Sequence, residues 1–266
     1  MARDPRTGKP LNVTKSRRKK QYIETREGPW LAIQDTDIIP LANGDISDYQ
    51  ISWRSKQYNL QREDGILGLT RLKGPKATAA HKSLLLALED ERPSVRVSAL
   101  KALPEVATQK SDELFDWLSV LLDDKDVSVR QAASEALATS APVFPSGVDI
   151  IIHNELRSFE PNRSKQAFKG LESLCEAWPE VACDHIDELF LETDAELRLK
   201  GAKLLGRVLV KSGHIGWDLV SWALNDDDPR VRRAAAKTLP KLSKVDTRIA
   251  TIFSERALSD LSLIHI

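Results

Sequence analysis

The chain has 266 residues, 41% apolar and 29% charged, a composition that builds a hydrophobic core and excludes a disordered chain. Thirty-nine Lys and Arg balance 39 Asp and Glu, so bulk charge points to no particular partner. No apolar run reaches the roughly 18 residues of a membrane span. The two cysteines, Cys175 and Cys183, are too few for a disulfide framework, so a reducing, cytoplasmic setting is expected.

Residues 1–28 carry nine basic and three acidic side chains, a net charge of +6, which leaves −6 on the remainder. They hold no apolar core of the kind a secretory signal needs and are expected to form a flexible basic arm. Residues 29–55 are expected to be an irregular cap, in which Pro40 and Asn43-Gly44 mark turns. Trp30, Ile33, Ile38, Ile39 and Leu41 supply apolar side chains that can fold back onto the first repeat.

From 56 to 260 the chain repeats with a period of 34. One column reads Leu69, Leu103, Leu137, Leu171, Leu205 and Leu239; a second reads Gly65, Ala99, Ala133, Ala167, Gly201 and Ala235. A third reads Leu72, Val106, Ser140, Leu174, Val208 and Leu242. Two upstream columns read Leu84, Leu118, Ile152, Ile186 and Val220, and Leu88, Leu122, Leu156, Phe190 and Leu224. Spacings of three and four place each set on one helix face. A polar turn separates the upstream pair from the others, and Pro93 and Pro229 fall where a first helical turn tolerates proline. Each unit is therefore a hairpin of helix A, turn and helix B. Stacked hairpins predict an all-α chain, a right-handed α-solenoid superhelix of about six such pairs.

Residues 47–72 read as a degenerate first unit. Arg62, Gly65 and Leu69 keep the helix B register, whereas the helix A columns become Gln50 and Arg54. At the other end, 247–258 restart a helix A, with Leu258 and Asp260 on register. Residues 261–266, Leu-Ser-Leu-Ile-His-Ile, stand where a second helix is due, and read as a truncated frame or as a tail packed on the last pair.

The recurring motif is D-x-x-P/V-x-V-R-x-x-A-x-x-A-L, with an acid in the turn and Arg six residues later: Asp90/Arg96, Asp124/Arg130, Glu192/Arg198 and Asp226/Arg232. This resembles the HEAT-repeat family, including its short prokaryotic-type units; the early Trp, Leu-Gly and Tyr of tetratricopeptide units are missing. The resemblance covers about residues 56–260 and implies a ladder of acid–arginine pairs running between adjacent units. One unit carries Ser158 and Ser164 at the two positions, so both charges vanish together.

Candidate chemistry is sparse. Cys175, Cys183 and His185 lie close in sequence, but C-x7-C-x-H matches no closed zinc pattern, and buried structural thiols are expected instead. His153/Glu155 and Asp184/His185/Glu188 place imidazole beside carboxylate, yet flank apolar columns, so His153 and His185 are expected on a solvated helix A surface. Deoxyhypusine hydroxylase, a HEAT-repeat di-iron enzyme, is set aside because its His-Glu dipeptides do not occur here. HEAT-like DNA base-excision glycosylases need aromatic side chains in the groove. The outward helix B columns Lys101, Glu135, Lys169, Lys203, Lys237 and Glu105, Thr139, Ser173, Arg207, Lys241 contain none. No motif supports a phycobilin lyase. No cofactor, metal site or catalytic residue is therefore expected.

Charge is more informative. The last helices B are rich in Lys200, Lys203, Arg207, Arg230, Arg233, Lys237 and Lys241, beside acidic helix A and turn residues such as Asp187, Glu188, Asp227 and Asp228. A non-catalytic scaffold that holds a protein or acidic peptide on its helix B face is the expected function. The alternative is nucleic-acid association through the basic arm and the basic C-terminal repeats, with a glycosylase third.

Overall fold

The computed structural model describes residues 27–107, 112–209 and 214–258. Most of the expected basic arm, the tail 261–266 and Asp260 lie outside these residues.

The chain opens with a turn of 3-10 helix at Pro29–Ala32 and a short helix α1, Ile38–Asn43. Asn43-Gly44 ends α1, as its turn chemistry predicts. Gly44 takes φ 86°, and the amides of Gly44 and Asp45 bond back to the carbonyls of Leu41 and Pro40. Pro40 does not mark a turn: it sits inside α1. Next comes an antiparallel hairpin, β1 (Tyr49–Trp53) and β2 (Lys56–Leu60), in which Ile51 faces Tyr58 and Trp53 faces Lys56. This corrects the repeat arithmetic, which starts the array at 56 and places helix A columns at Gln50 and Arg54. The period-two alternation of Tyr49, Ile51 and Trp53 suits a half-buried strand, and those side chains stay partly covered while Gln50 and Ser52 point to solvent. The array proper begins with α2, Arg62–Gly68.

Five complete helix pairs come after it: α3 (Ala77–Leu88) with α4 (Pro93–Val106), α5 (Asp112–Leu121) with α6 (Val127–Ser140), and α7 (Pro145–Glu155) with α8 (Pro161–Ala177). Then come α9 (Pro179–Phe190) with α10 (Ala195–Val208), and α11 (His214–Leu224) with a broken helix B, α12 (Pro229–Ala236) and α13 (Leu239–Leu242). α14, Thr247–Leu258, starts the next unit. The break before α13 differs from the continuous helix expected there, and Pro240 is its cause, since it removes an amide donor and crowds the preceding turn.

Helices B stack on helices B along the array, with helices A beside them. All five sequence columns are buried: Leu69 through Leu205 are at 0% exposure and Leu239 at 8%. The Gly/Ala column shows why small residues recur. A Cβ on Gly65 would meet the Ala42 amide nitrogen at 2.5 Å, so α1 rests backbone to backbone on α2. Farther along the column Ala99, Ala133, Ala167 and Ala235 are fully buried. Among the described residues the molecule is an all-α solenoid, with one small β-hairpin before the first helix of the array.

Candidate functional site

On each helix B the residue two places after the Gly/Ala column points away from the core. Lys101, Glu135, Lys169, Lys203 and Lys237 occupy this place and are all exposed, one per unit. They form an outward stripe along the stacked helices. The other expected contact residues lie around it, and several are engaged in the solenoid's own joints. Arg207 reaches across to the preceding helix B, with Nη1 2.9 Å from Glu176 and Nη2 3.1 Å from Glu172. The Lys200 ammonium sits 4.5 Å from the centroid of the Phe168 ring. Arg230 pairs with Asp228 at 2.8 Å and with Glu196 of the preceding unit. Lys241 donates to the Gly206 carbonyl at 3.1 Å. Lys203 and Lys237 remain outward cations with no ion pair among the described residues, and Arg233 is exposed near them.

The acid–arginine motif forms its side-chain pairs between units. Arg96 Nη2 lies 2.9 Å from Asp124 of the next turn. Arg62 pairs with Asp90 in the same sense, and Arg198 with Asp226 at 2.7 Å. The six-residue pairing within a unit is corrected accordingly: there the arginine bonds the backbone of its turn. Arg96 Nη1 donates to the Asp90 and Glu91 carbonyls, and Arg130 Nη1 to the Asp124 carbonyl at 2.6 Å. Arg198 Nη1 donates to the Glu192 carbonyl at 2.9 Å. Arg232 Nη1 likewise donates to the Asp226 and Asp227 carbonyls at 2.8 and 2.9 Å, while the Asp226 carboxylate is held by Arg198 of the preceding unit. The reason is geometric. A turn that reverses the chain aims its carbonyls at the arginine six residues on and leaves its carboxylate facing the neighbouring helix B.

Each aspartate also accepts an amide two residues on: Arg92 to Asp90, Asp126 to Asp124, Asp228 to Asp226. The Arg96–Asp124 side chains are 7% and 9% exposed, a buried pair. Ser158 and Ser164 therefore do not replace one another's partner. Ser158 stands where Arg130 would find its aspartate, and Ser164 where Glu192 would find its arginine. Ser164 donates instead to the Leu156 carbonyl, and Arg157 takes over Glu192 and also Glu188, the latter at 3.1 Å.

The helix A side is acidic, as its sequence indicates, but carries an aromatic that the charge pattern did not reveal. Trp222, 59% exposed, borders an open groove of about 700 Å³ whose lining includes Phe190, Glu192, Asp226 and Asp227. His153 is exposed, as expected, but His185 is not: it is 4% exposed, one residue before the fully buried Ile186. Its Nε2 lies 2.7 Å from Asp149 Oδ1, and His153 Nδ1 lies 3.3 Å from Glu188 Oε2.

The thiols behave as structural groups. Cys175 and Cys183 are buried, and burial, helped by the neighbouring Cys183, pushes the Cys175 thiol up to about 12. A thiol held neutral is a poor nucleophile and a poor metal ligand. Among the described residues the imidazole and carboxylate groups that converge are His153, His185 and Glu188, without a cysteine. The sequence signal was available as H-x2-E on α9 and D-x3-H on α7, in consecutive units. It was hidden because neither spacing is distinctive alone.

No described helix is long and apolar enough to cross a membrane. Paired helices of one period, stacked through buried columns, define an α-solenoid built of helical hairpins. One family model for HEAT repeats matches residues 82–149 and a second, for the single HEAT repeat, matches residues 219–246, so these two stretches carry HEAT repeats. No curated protein is significantly similar to it in sequence. Solved structures that resemble it include an archaeal HEAT-like repeats protein from Thermococcus onnurineus NA1, 17% identical, TM-score 0.44, covering 85% of this chain and 93% of that one. An engineered protein, 18% identical with TM-score 0.39, covers 80% of this chain and 98% of its own length. A mutant of Kap121p, 12% identical with TM-score 0.47, covers 90% of this chain and 34% of that one.

Proposed function

We propose that this protein is a non-catalytic scaffold that holds a protein partner bearing an acidic segment along its helix B face. The supporting observation is the exposed stripe Lys101, Glu135, Lys169, Lys203 and Lys237, which offers one contact per repeat in a continuous line. A solenoid presents such a line as an extended surface, and the basic end of the stripe, from Lys169 onward, suits carboxylates. Arg233 lies at its margin. Lys200, Arg207, Arg230 and Lys241, being engaged within the joints, frame the surface, and rim charges of this kind steer encounter more than they add affinity.

The test places a photo-crosslinking residue at Lys203 and treats native lysate with nuclease before irradiation. A discrete protein adduct that disappears in a Lys169→Glu/Lys237→Glu variant supports the scaffold. An adduct lost to nuclease would favour nucleic acid, the alternative that the basic arm suggests; residues 1–26 of that arm lie outside those described. In that case oligonucleotide affinity should fall with salt at a slope of about 0.7–0.9 per phosphate contact.

A further inference from the structure

We propose that His153, His185 and Glu188, supported by Asp149, bind a divalent first-row transition ion such as zinc in the seam between α7 and α9. Each helix supplies two of the four from one face: Asp149 and His153 are four apart on α7, His185 and Glu188 three apart on α9. The two helices belong to consecutive units and meet through these long polar side chains rather than by close backbone approach.

One ligand atom from each of His153, His185 and Glu188 lies within 4.8 Å of the other two. Zinc bonds of about 2.0–2.2 Å hold ligand atoms roughly 3.3–3.6 Å apart in a tetrahedron. The 3.3 Å between His153 Nδ1 and Glu188 Oε2 already has that value, and a ligand atom of His185 lies within 4.8 Å of one from each of the other two. Two imidazoles and one carboxylate are the ligand types that borderline ions prefer over calcium or magnesium, which take oxygen.

His185 supplies an independent observation. Its ring is buried, Nε2 is held by Asp149, and Nδ1 is buried with no hydrogen-bond partner. A buried ring nitrogen left without a partner is a deficit that a histidine confined to packing does not need. An imidazole held on one side by a carboxylate is the usual state of a metal ligand, the carboxylate fixing its tautomer and aim. Charge favours a cation as well. Asp149, Glu188 and Glu192 meet at this seam, and Arg157 is the arginine that pairs with two of them. The exposed His153 leaves the site accessible from solvent, and three protein ligands leave a fourth position for water or for a group on a partner.

The full-length protein is titrated with Zn²⁺ by calorimetry and with Co²⁺ by visible absorption, after removal of metal with a chelator. Saturation near one ion per chain at micromolar concentration is expected, with the intense bands of four-coordinate Co²⁺. His153→Ala and Glu188→Gln alter exposed or half-exposed side chains and should leave the helical circular dichroism unchanged while weakening binding at least tenfold. Asp149→Asn, a positioning change, should weaken it about 10–100-fold and alter the Co²⁺ spectrum. Absence of saturable binding at about 100 μM, or binding that survives both His153→Ala and Glu188→Gln, overturns the site. Neither result bears on the scaffold reading, which concerns the opposite helices.

Discussion

The junction of α4 with α6 and the junction of α8 with α10 join equivalent repeats by different chemistry. In the first, helices B lie close, the columns interlock, and Arg96 and Asp124 form a buried bridge. In the second the apolar columns continue, with Leu171 and Leu205 fully buried, but the ladder is gone and the helices B approach less closely. Long side chains at the margins take its place: Arg207 on Glu172 and Glu176, Lys200 on Phe168, and on the helix A side Arg157 on Glu188 and Glu192, with His185 on Asp149. The periodic core sets the stacking direction at both, and the bridge by itself does not set how closely the units lie, since α6 and α8 pack as closely as α4 and α6 although Ser158 leaves Arg130 without a turn carboxylate. A loosened junction with polar walls is also where room for a ligand arises.

The largest expected effect breaks the tight junction. Asp124→Ala leaves the Arg96 guanidinium buried without its carboxylate and removes the acceptor of the Asp126 amide, so a loss of about 3–5 kcal/mol is expected. Arg157→Ala, at a pair about 30% exposed, should cost no more than about 1 kcal/mol. Urea denaturation of both variants measures the difference; equal costs would show that the two junctions are energetically alike.

The apolar columns should not distinguish the junctions. Leu103→Ala and Leu171→Ala each create a cavity at a fully buried site and should cost about 2–5 kcal/mol. A cost at Leu171 below about 1 kcal/mol would mean that the wider junction collapses to fill the space.

Two glycines of one column sharpen the contrast between the cap and the array. Gly65→Ala drives a methyl into the backbone of α1 and should destabilise by about 1–3 kcal/mol. Gly201→Ala meets its neighbours at 3.4 Å or more, and helix propensity then favours alanine by up to about 1 kcal/mol. Opposite shifts in thermal midpoint are the expected outcome.

The smallest effect is in acid. Asp228 is held down to about 2, first by its side-chain hydrogen bond with Arg230, then by the Arg230 amide. For Asp90 burial acts in the raising direction, but the Arg92 amide and the Arg62 charge outweigh it and hold the carboxyl below the usual range. Both groups are depressed in the folded state, so their stabilisation is complete above the unfolded value of about 3.9. It is lost as pH falls toward about 2. Denaturation followed at about pH 7, 4 and 2.5 should show a decline confined to the lower interval, and Asp228→Asn should make it shallower.

The repeat was legible because each column answers to one constraint, a side chain pressed between neighbouring helices, and a period of 34 samples that constraint six times. The hairpin at Tyr49–Leu60 was not, although Tyr49, Ile51 and Trp53 alternate. Its two-residue turn is made by Arg54 and Ser55, both at positive φ, rather than by the Asn-Gly pair that announces such turns. His185 was misplaced for a related reason. A polar residue that flanks an apolar column reads as solvent-facing, whereas the packed helices cover this one, with Asp149 of α7 answering it.

What the sequence determined alone is the repeating part: helix pairs, their period, the buried columns and the direction of stacking, all set by local periodicity. The tertiary structure decided the rest, because it depends on which side chains meet 28 to 36 residues apart. It gave each turn carboxylate to the arginine of the preceding unit, so that Asp226 serves Arg198 while Arg232 bonds the turn's carbonyls. It engaged Lys200, Arg207, Arg230 and Lys241 in contacts across the joints, and it brought two histidines and two carboxylates from neighbouring helices into one seam. Coulombic and coordinative contacts act over a few ångströms, and only the packed solenoid sets those distances.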